Sequence, residues 1–192
     1  METMHAIRTR RAVRSFDPNP PTKEQIETVI GAASYAPSDL NRQPWSFLVI
    51  QGSDKLADLE QQVQASWLGT GDRRVAIAHD SEVSASIREL IDSGFAMFHG
   101  ASTAIVLLAP DGDEMAYLDT SLAAQNLMLA AHDIGLATCP VALTHPYFDH
   151  SGTKSEFAIP DRLRVVLAIV IGTQANADRS KPARKDPSIY WR

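Results

Sequence analysis

The chain has 192 residues, 44% of them hydrophobic and 21% charged, with a formal net charge of -5. That size and balance fit one globular domain with a full hydrophobic core and exclude disordered and collagen-like chains. The acidic balance argues against a broad nucleic-acid or anionic-membrane surface, so any basic patch must be local and aimed at something small.

The N-terminus, METMHAIRTRR, has no apolar h-region, so no secretory leader is expected. Residues 2–14 read as a short helix with Met4 and Ile7 facing inward. Thr22 to Gln25 spell a T-x-x-Q capping box, ahead of Ile26, Val29, Ile30 and Ala33 at helical spacing. Trp45 to Gly52 reads as a strand closed by glycine, and Leu56, Leu59, Val63 and Trp67 mark another helix. Gly69-Thr70-Gly71-Asp72 breaks regularity, residues 82–92 look helical and polar, and Thr103 to Ala109 is a buried strand.

The longest predicted helix, about 114–134, is rich in Ala, Leu and Met, and Gly135 closes it. Its small faces suit a central helix covered on several sides. Ala137 to Leu143 is a short strand or extended loop, residues 150–157 a small helix, and Arg164 to Gly172 a fully buried strand. The apolar runs fall far below the ~20 residues of a spanning helix. The single cysteine, Cys139, fits a reducing compartment, so a soluble cytoplasmic protein is expected. Uneven alternation of strands and helices predicts an α/β or α+β domain around a mixed sheet. From Gln174 the tail is polar, yet it ends Ile189-Tyr190-Trp191, which implies that it docks on something.

Two stretches carry the chemistry. Arg10, Arg11 and Arg14 gather three guanidinium groups at the end of the first predicted helix, with Arg10 and Arg14 at i, i+4 on one face. They suit a phosphate, which wants forked cationic donors, or they complement the helix C-terminal dipole. In "APSDLNRQPW", Pro37 ends a helix, and Ser38, Asp39, Asn41 and Gln43 place polar side chains in a tight loop. Such a loop can read the edge of a flat heterocycle, or it is a plain Asx-type turn.

In that order, "RRAVRSF" and "APSDLNRQPW" resemble the FMN-dependent nitroreductase family. The resemblance continues through "GLATCPVAL" and "VVLAIVIGTQA" to "SKPARK", nearly the whole chain. It implies a three-layer α+β fold, a mixed sheet flanked by helices, in a domain-swapped homodimer with FMN at the interface. Arg10, Arg11, Ala12 and Arg14 would meet the phosphate and the pyrimidine edge, and Lys181 and Arg184 would add charge from the C-terminal arm. Pro37, Ser38, Asp39 and Asn41 would come from the second copy. The backbone of Pro140, Val141, Ala142 and Leu143 would lie along the ring, with the N–H of Ala142 or Leu143 toward flavin N5. The implied activity is ping-pong reduction of a nitroaromatic, quinone or similar acceptor with NAD(P)H. The alternatives are a flavin-binding protein without turnover, or a same-fold reductive dehalogenase or enoyl or aldehyde reductase.

The sequence departs from the family at Ala12 and Asp39, where serine is frequent, and at Ala142-Leu143, where an acidic residue with glycine, or paired glycines, are frequent. An acidic Asp39 beside the ring would oppose a reduced flavin unless it faces solvent or an arginine. "HPYFDH" gathers His145, Asp149 and His150 without a metal-ligand template. Cys139 reads as a small core residue, His132 as packed, and residues 67–92 as a substrate lid.

Overall fold

Alternation of side chains along the strands sets up a layered molecule. The computed structural model describes residues 2–70, 82–176 and 183–192. Among them four strands form one sheet: β1 (Ser46–Gln51), β2 (Thr103–Pro110), β3 (Ala137–Val141) and β4 (Leu163–Gly172). The helices are α1 (Thr3–Thr9), α2 (Lys23–Ala33), α3 (Ser53–Leu68), α4 (Glu82–Asp92), α5 (Glu114–Asp133), α6 (His145–Phe148) and α7 (Ser151–Glu156).

The strand order is β1-β2-β4-β3, every neighbouring pair antiparallel. Ile105, Leu107, Ile169 and Ile171 face α2 and α5, where Ile26, Val29, Ala123 and Leu127 meet them. Ala104, Val106, Ala168 and Val170 face the opposite way, onto Leu56, Leu59, Val63 and Trp67 of α3 and Tyr147 and Phe148 of α6. Burial on both faces explains why β2 and β4 read as unbroken apolar runs. Between Leu107 and Leu108 the register jumps from Leu167 to Val165, and this bulge lets Val165 and Ala168 share one face. The result is the expected helix–sheet–helix stack. The four described strands are antiparallel throughout where a mixed sheet was expected, and the bridge from Ala12 to Thr138, outside the named strands, is parallel.

Helix α2 starts as its sequence dictates: Gln25 N–H donates to Thr22 Oγ1 (3.2 Å) and Thr22 N–H to Gln25 Oε1 (2.9 Å). Helix α1 differs from the expectation of a helix to residue 14. It ends at Thr9, and of its residues only Ala6 is buried. Met4 and Ile7, expected to face inward, are 49% and 48% exposed. Helix α6 was not foreseen; Pro146 starts it without a lost hydrogen bond, and Tyr147 and Phe148 bury it. No described helix is long and apolar enough to cross a membrane.

Beyond β4 the chain lies against the N-terminal segment. Asp17 N–H donates to Thr173 O (2.9 Å) and Ala175 N–H to Ser15 O (3.0 Å). Residues 183–192 are exposed throughout, with Tyr190 and Trp191 87% and 88% open.

Candidate functional site

Helix α1 stops where its chain is needed by the sheet. Strand β3 is the last in the order, so one edge lies open. Arg10 turns extended (φ -54, ψ 137), and Val13 N–H donates to Thr138 O at 3.0 Å. An extended segment that meets unpaired edge groups wins over further helical turns. The shared helical face expected for Arg10 and Arg14 is therefore absent. Both sit on extended chain, where Val13 turns into the core and its neighbours Ala12 and Arg14 are exposed.

The arginines divide between the two roles left open by their spacing. Arg11 caps α1, its Nη1 donating to the carbonyls of Arg8 (3.0 Å) and Arg10 (2.7 Å). Arg10 and Arg14 cap nothing. Burial, then Arg11 and Arg184, lowers the pKa of Arg10 below its ordinary value. Arg10 and Arg14 both act electrostatically on Cys139. Arg184 of the tail thus joins the N-terminal arginines around the β3 edge. Among the described residues none of these four arginines forms an ion pair. Like charges held together without a counter-charge repel, and an anion between them relieves that cost.

A cavity of about 230 Å³ opens beside this cluster, lined by Arg10, Arg11, His132, Thr138 and Gln174 among others. His132 Nε2 lies 2.8 Å from Thr9 Oγ1. Because Thr9 gives its hydroxyl proton to His5 O (2.7 Å), the imidazole must donate through Nε2. Burial, followed by Arg10, lowers the His132 pKa and so favours the neutral ring. His132 is packed, as expected, and it also walls the cavity.

The end of β3 forms the next wall. Its residues Ala137, Cys139 and Val141 pair toward β4, opposite Gly172, Val170 and Ala168. By strand alternation Thr138 and Pro140 turn their backbone groups to the open edge, where Thr138 O already meets Val13. Proline costs nothing at such a position because no ladder donor is missing. Pro140 and Ala142 are exposed there, Val141 is buried and Leu143 is half-buried.

The Pro37–Gln43 loop is strongly shaped. Leu40, Asn41 and Gln43 have φ of 49°, 56° and 48°, a left-handed run that non-glycine residues seldom adopt. Gln43 N–H donates to Ser38 Oγ (3.0 Å), and Gln43 Nε2 to Asn41 Oδ1 (3.0 Å). Asp39 N–H donates to the buried carboxylate of Asp119 on α5 (3.0 Å). The Asp39 side chain lies 3.6 Å from Arg42, so it faces an arginine, which removes the concern its charge raised.

Within one chain the two motifs do not meet. The loop is fixed to Asp119 and the arginine segment to His132, thirteen positions along α5, or about 20 Å of helix.

Lys181 and the middle of the expected lid, residues 71–81, lie outside the described residues. Asp149 accepts from Val165 N–H (3.1 Å) and Arg164 Nη2 (3.0 Å), and His150 Nδ1 accepts from Gly152 N–H to cap α7. Cys139 is buried, and that burial raises its thiol pKa. A larger cavity of about 570 Å³ lies near the start of α5, but Asp113 and Asp149 on its wall are already paired with Arg42 and Arg164. The smaller cavity carries the unmatched charge. Sequence reasoning missed His99, half-buried at φ 55° beside Arg14, whose carbonyl accepts from Phe16 N–H (3.3 Å). The "HG" pair before a buried strand is its only signal.

The model of the nitroreductase family matches residues 7–173. Nitroreductase NfnB of Mycolicibacterium smegmatis is 28% identical over 190 residues, covering 86% of this chain and 80% of the relative. A Bacteroides fragilis nitroreductase solved with bound FMN superposes with a TM-score of 0.81 at 20% identity, covering 99% of this chain and 98% of that one. A variant of an FMN- and NADPH-dependent nitroreductase NfnB from Sphigopyxis sp. strain HMH gives a TM-score of 0.66 at 21% identity, covering 90% and 88%.

Proposed function

This chain belongs to the nitroreductase family, and from that premise we propose that it is an FMN-dependent oxidoreductase. In this reading it takes hydride from NAD(P)H and passes electrons to a nitroaromatic, quinone or similar conjugated acceptor, with the donor leaving before the acceptor binds. The observation that carries it is the arginine-rich edge of β3, where Arg10 feels Arg11 and Arg184, Arg14 acts with Arg10 on Cys139, and none of the four makes an ion pair among the described residues.

The residues fit the cofactor. A phosphate monoester supplies the charge this cluster lacks, and Arg10 or Arg14 near the pyrimidine edge favours a reduced, anionic ring. Arg184, with Lys181, adds charge from the tail, and Arg11 holds the end of α1 from which the segment departs. Ala12, exposed between Arg11 and Val13, leaves that surface unobstructed. Bound FMN supplies the hydride chemistry, and the protein binds, orients and tunes it. The backbone of Pro140 to Leu143 lines the ring, with an N–H of Ala142 or Leu143 toward N5. No side chain needs to act as acid or base, since solvent supplies protons.

The site takes its second wall from a second copy of the chain. Support comes from the separation of the two motifs along α5. An antiparallel twofold pairing of α5 helices would bring Pro37, Ser38, Asp39 and Asn41 of one copy to the arginines of the other. Met115, Leu118 and Leu122 on α5 are 46%, 59% and 48% exposed, an apolar stripe suited to that contact. The tail from residue 174, with Tyr190 and Trp191 open, would dock on the same partner.

Stopped-flow mixing of the FMN-loaded dimer with NADPH tests the activity. The flavin absorbance maximum should bleach, then recover on adding a nitroaromatic or quinone. A spectrum that stays oxidised with both NADH and NADPH would leave a flavin carrier without turnover.

A further inference from the structure

The turn that ends β3 is held by groups that its sequence does not advertise. Thr144, fully buried, donates its hydroxyl to Val141 O at 3.1 Å. His145 N–H donates to Ala142 O. Trp67, the last buried side chain of α3, donates its indole N–H to Leu143 O at 2.8 Å. All three successive carbonyls of the turn are therefore engaged.

In a trans peptide the C=O and the following N–H point in opposite directions. Val141 pairs toward β4, so its carbonyl faces inward and the Ala142 N–H faces outward. That outward direction is the open edge of β3, the same edge at which Thr138 meets the arginine segment. The Thr144 hydroxyl reinforces the inward carbonyl without competing for the outward N–H. A serine, threonine or water at the surface could not do this as firmly, because Thr144 has no solvent to exchange with. Trp67 fixes the peptide two places on, and it ties the turn to α3.

Resting on the flavin reading above, we propose that Thr144 and Trp67 are positioning residues: they aim the Ala142 N–H into the cofactor crevice and so set the reduction potential of the bound flavin. Oxidised flavin N5 is a hydrogen-bond acceptor, whereas reduced N5 carries a proton. A firmly aimed N–H therefore favours the oxidised form, and loosening it favours reduction.

The test measures flavin occupancy and midpoint potential in Thr144→Val, Thr144→Ser and Trp67→Phe proteins. Thr144→Val keeps the side-chain shape and removes the hydroxyl. It should bind FMN, with the preference for oxidised over reduced flavin falling roughly tenfold, a rise of about 30 mV for a two-electron couple. Trp67→Phe should move the potential the same way by less, and Thr144→Ser should restore it. Should Thr144→Val fail to fold, amide exchange in the wild-type and Trp67→Phe proteins decides: FMN should slow the Ala142 amide strongly in the first and weakly in the second. Variants that bind FMN with an unchanged or lower potential, or an Ala142 amide indifferent to FMN, overturn the proposal and leave the flavin reading standing. A wild-type protein that binds no FMN removes the flavin reading itself.

Discussion

Arg14 is exposed and acts, like Arg10, on Cys139, and no carboxylate among the described residues neutralises it. In the proposed site it pairs with phosphate, so Arg14→Ala should weaken FMN binding by about 1.5–3 kcal/mol, the usual worth of a charged hydrogen bond. Fluorescence titration would read this as a loss of one to two orders of magnitude, and unchanged affinity would remove Arg14 from the site. His132 gives a pH dependence. Its pKa is lowered by burial first and then by Arg10, so the unfolded chain takes up the proton more readily. As pH falls through the ordinary histidine value near 6.5, stability is lost, and the loss is complete below the folded pKa. Ligand-free His132→Gln should therefore lose less thermal stability between pH 7 and pH 5 than the wild type, and identical slopes would contradict the assignment. The sequence displayed the arginines and their chemistry plainly. It could not display that Arg11 caps a helix while Arg10 and Arg14 make no ion pair among the described residues, because the choice depends on Thr138, more than a hundred residues away.

At the scale of elements, the strands and long helices were legible from alternation, spacing and the Thr22–Gln25 capping box. The end of α1 was not, since local propensity lost to a long-range backbone bond on the β3 edge. That segment is anchored by Phe16, whose Cδ1 would lie 3.3 Å from a Cβ added at Gly172 on β4. Gly172→Val should overpack this contact at a cost of about 1–3 kcal/mol and displace the arginines with it. Chemical denaturation and FMN titration should then fall together, and a variant with full stability and full FMN affinity would show that Phe16 does not anchor the site. The Pro37–Gln43 loop was read from its residue types alone. Its left-handed run at Leu40, Asn41 and Gln43 was hidden, because the loop is held by Asp119 across the fold.

For the whole molecule, one chain presents half a site toward each end of α5, with the apolar stripe of Met115, Leu118 and Leu122 beside the loop end. Replacing Leu118 and Leu122 together by Asp should yield monomers in sedimentation, and those monomers should lose FMN even with every arginine in place. Monomers that bind FMN as tightly as the wild type would contradict a shared crevice. The central claim is narrower still: the arginines are there for a phosphate on a flavin. Calorimetric titration of the ligand-free protein with FMN and with riboflavin tests it most directly. One FMN per chain should bind, with riboflavin weaker by tenfold or more, about 1.4 kcal/mol or greater. Equal affinity for the two, or no binding of either, would contradict the account.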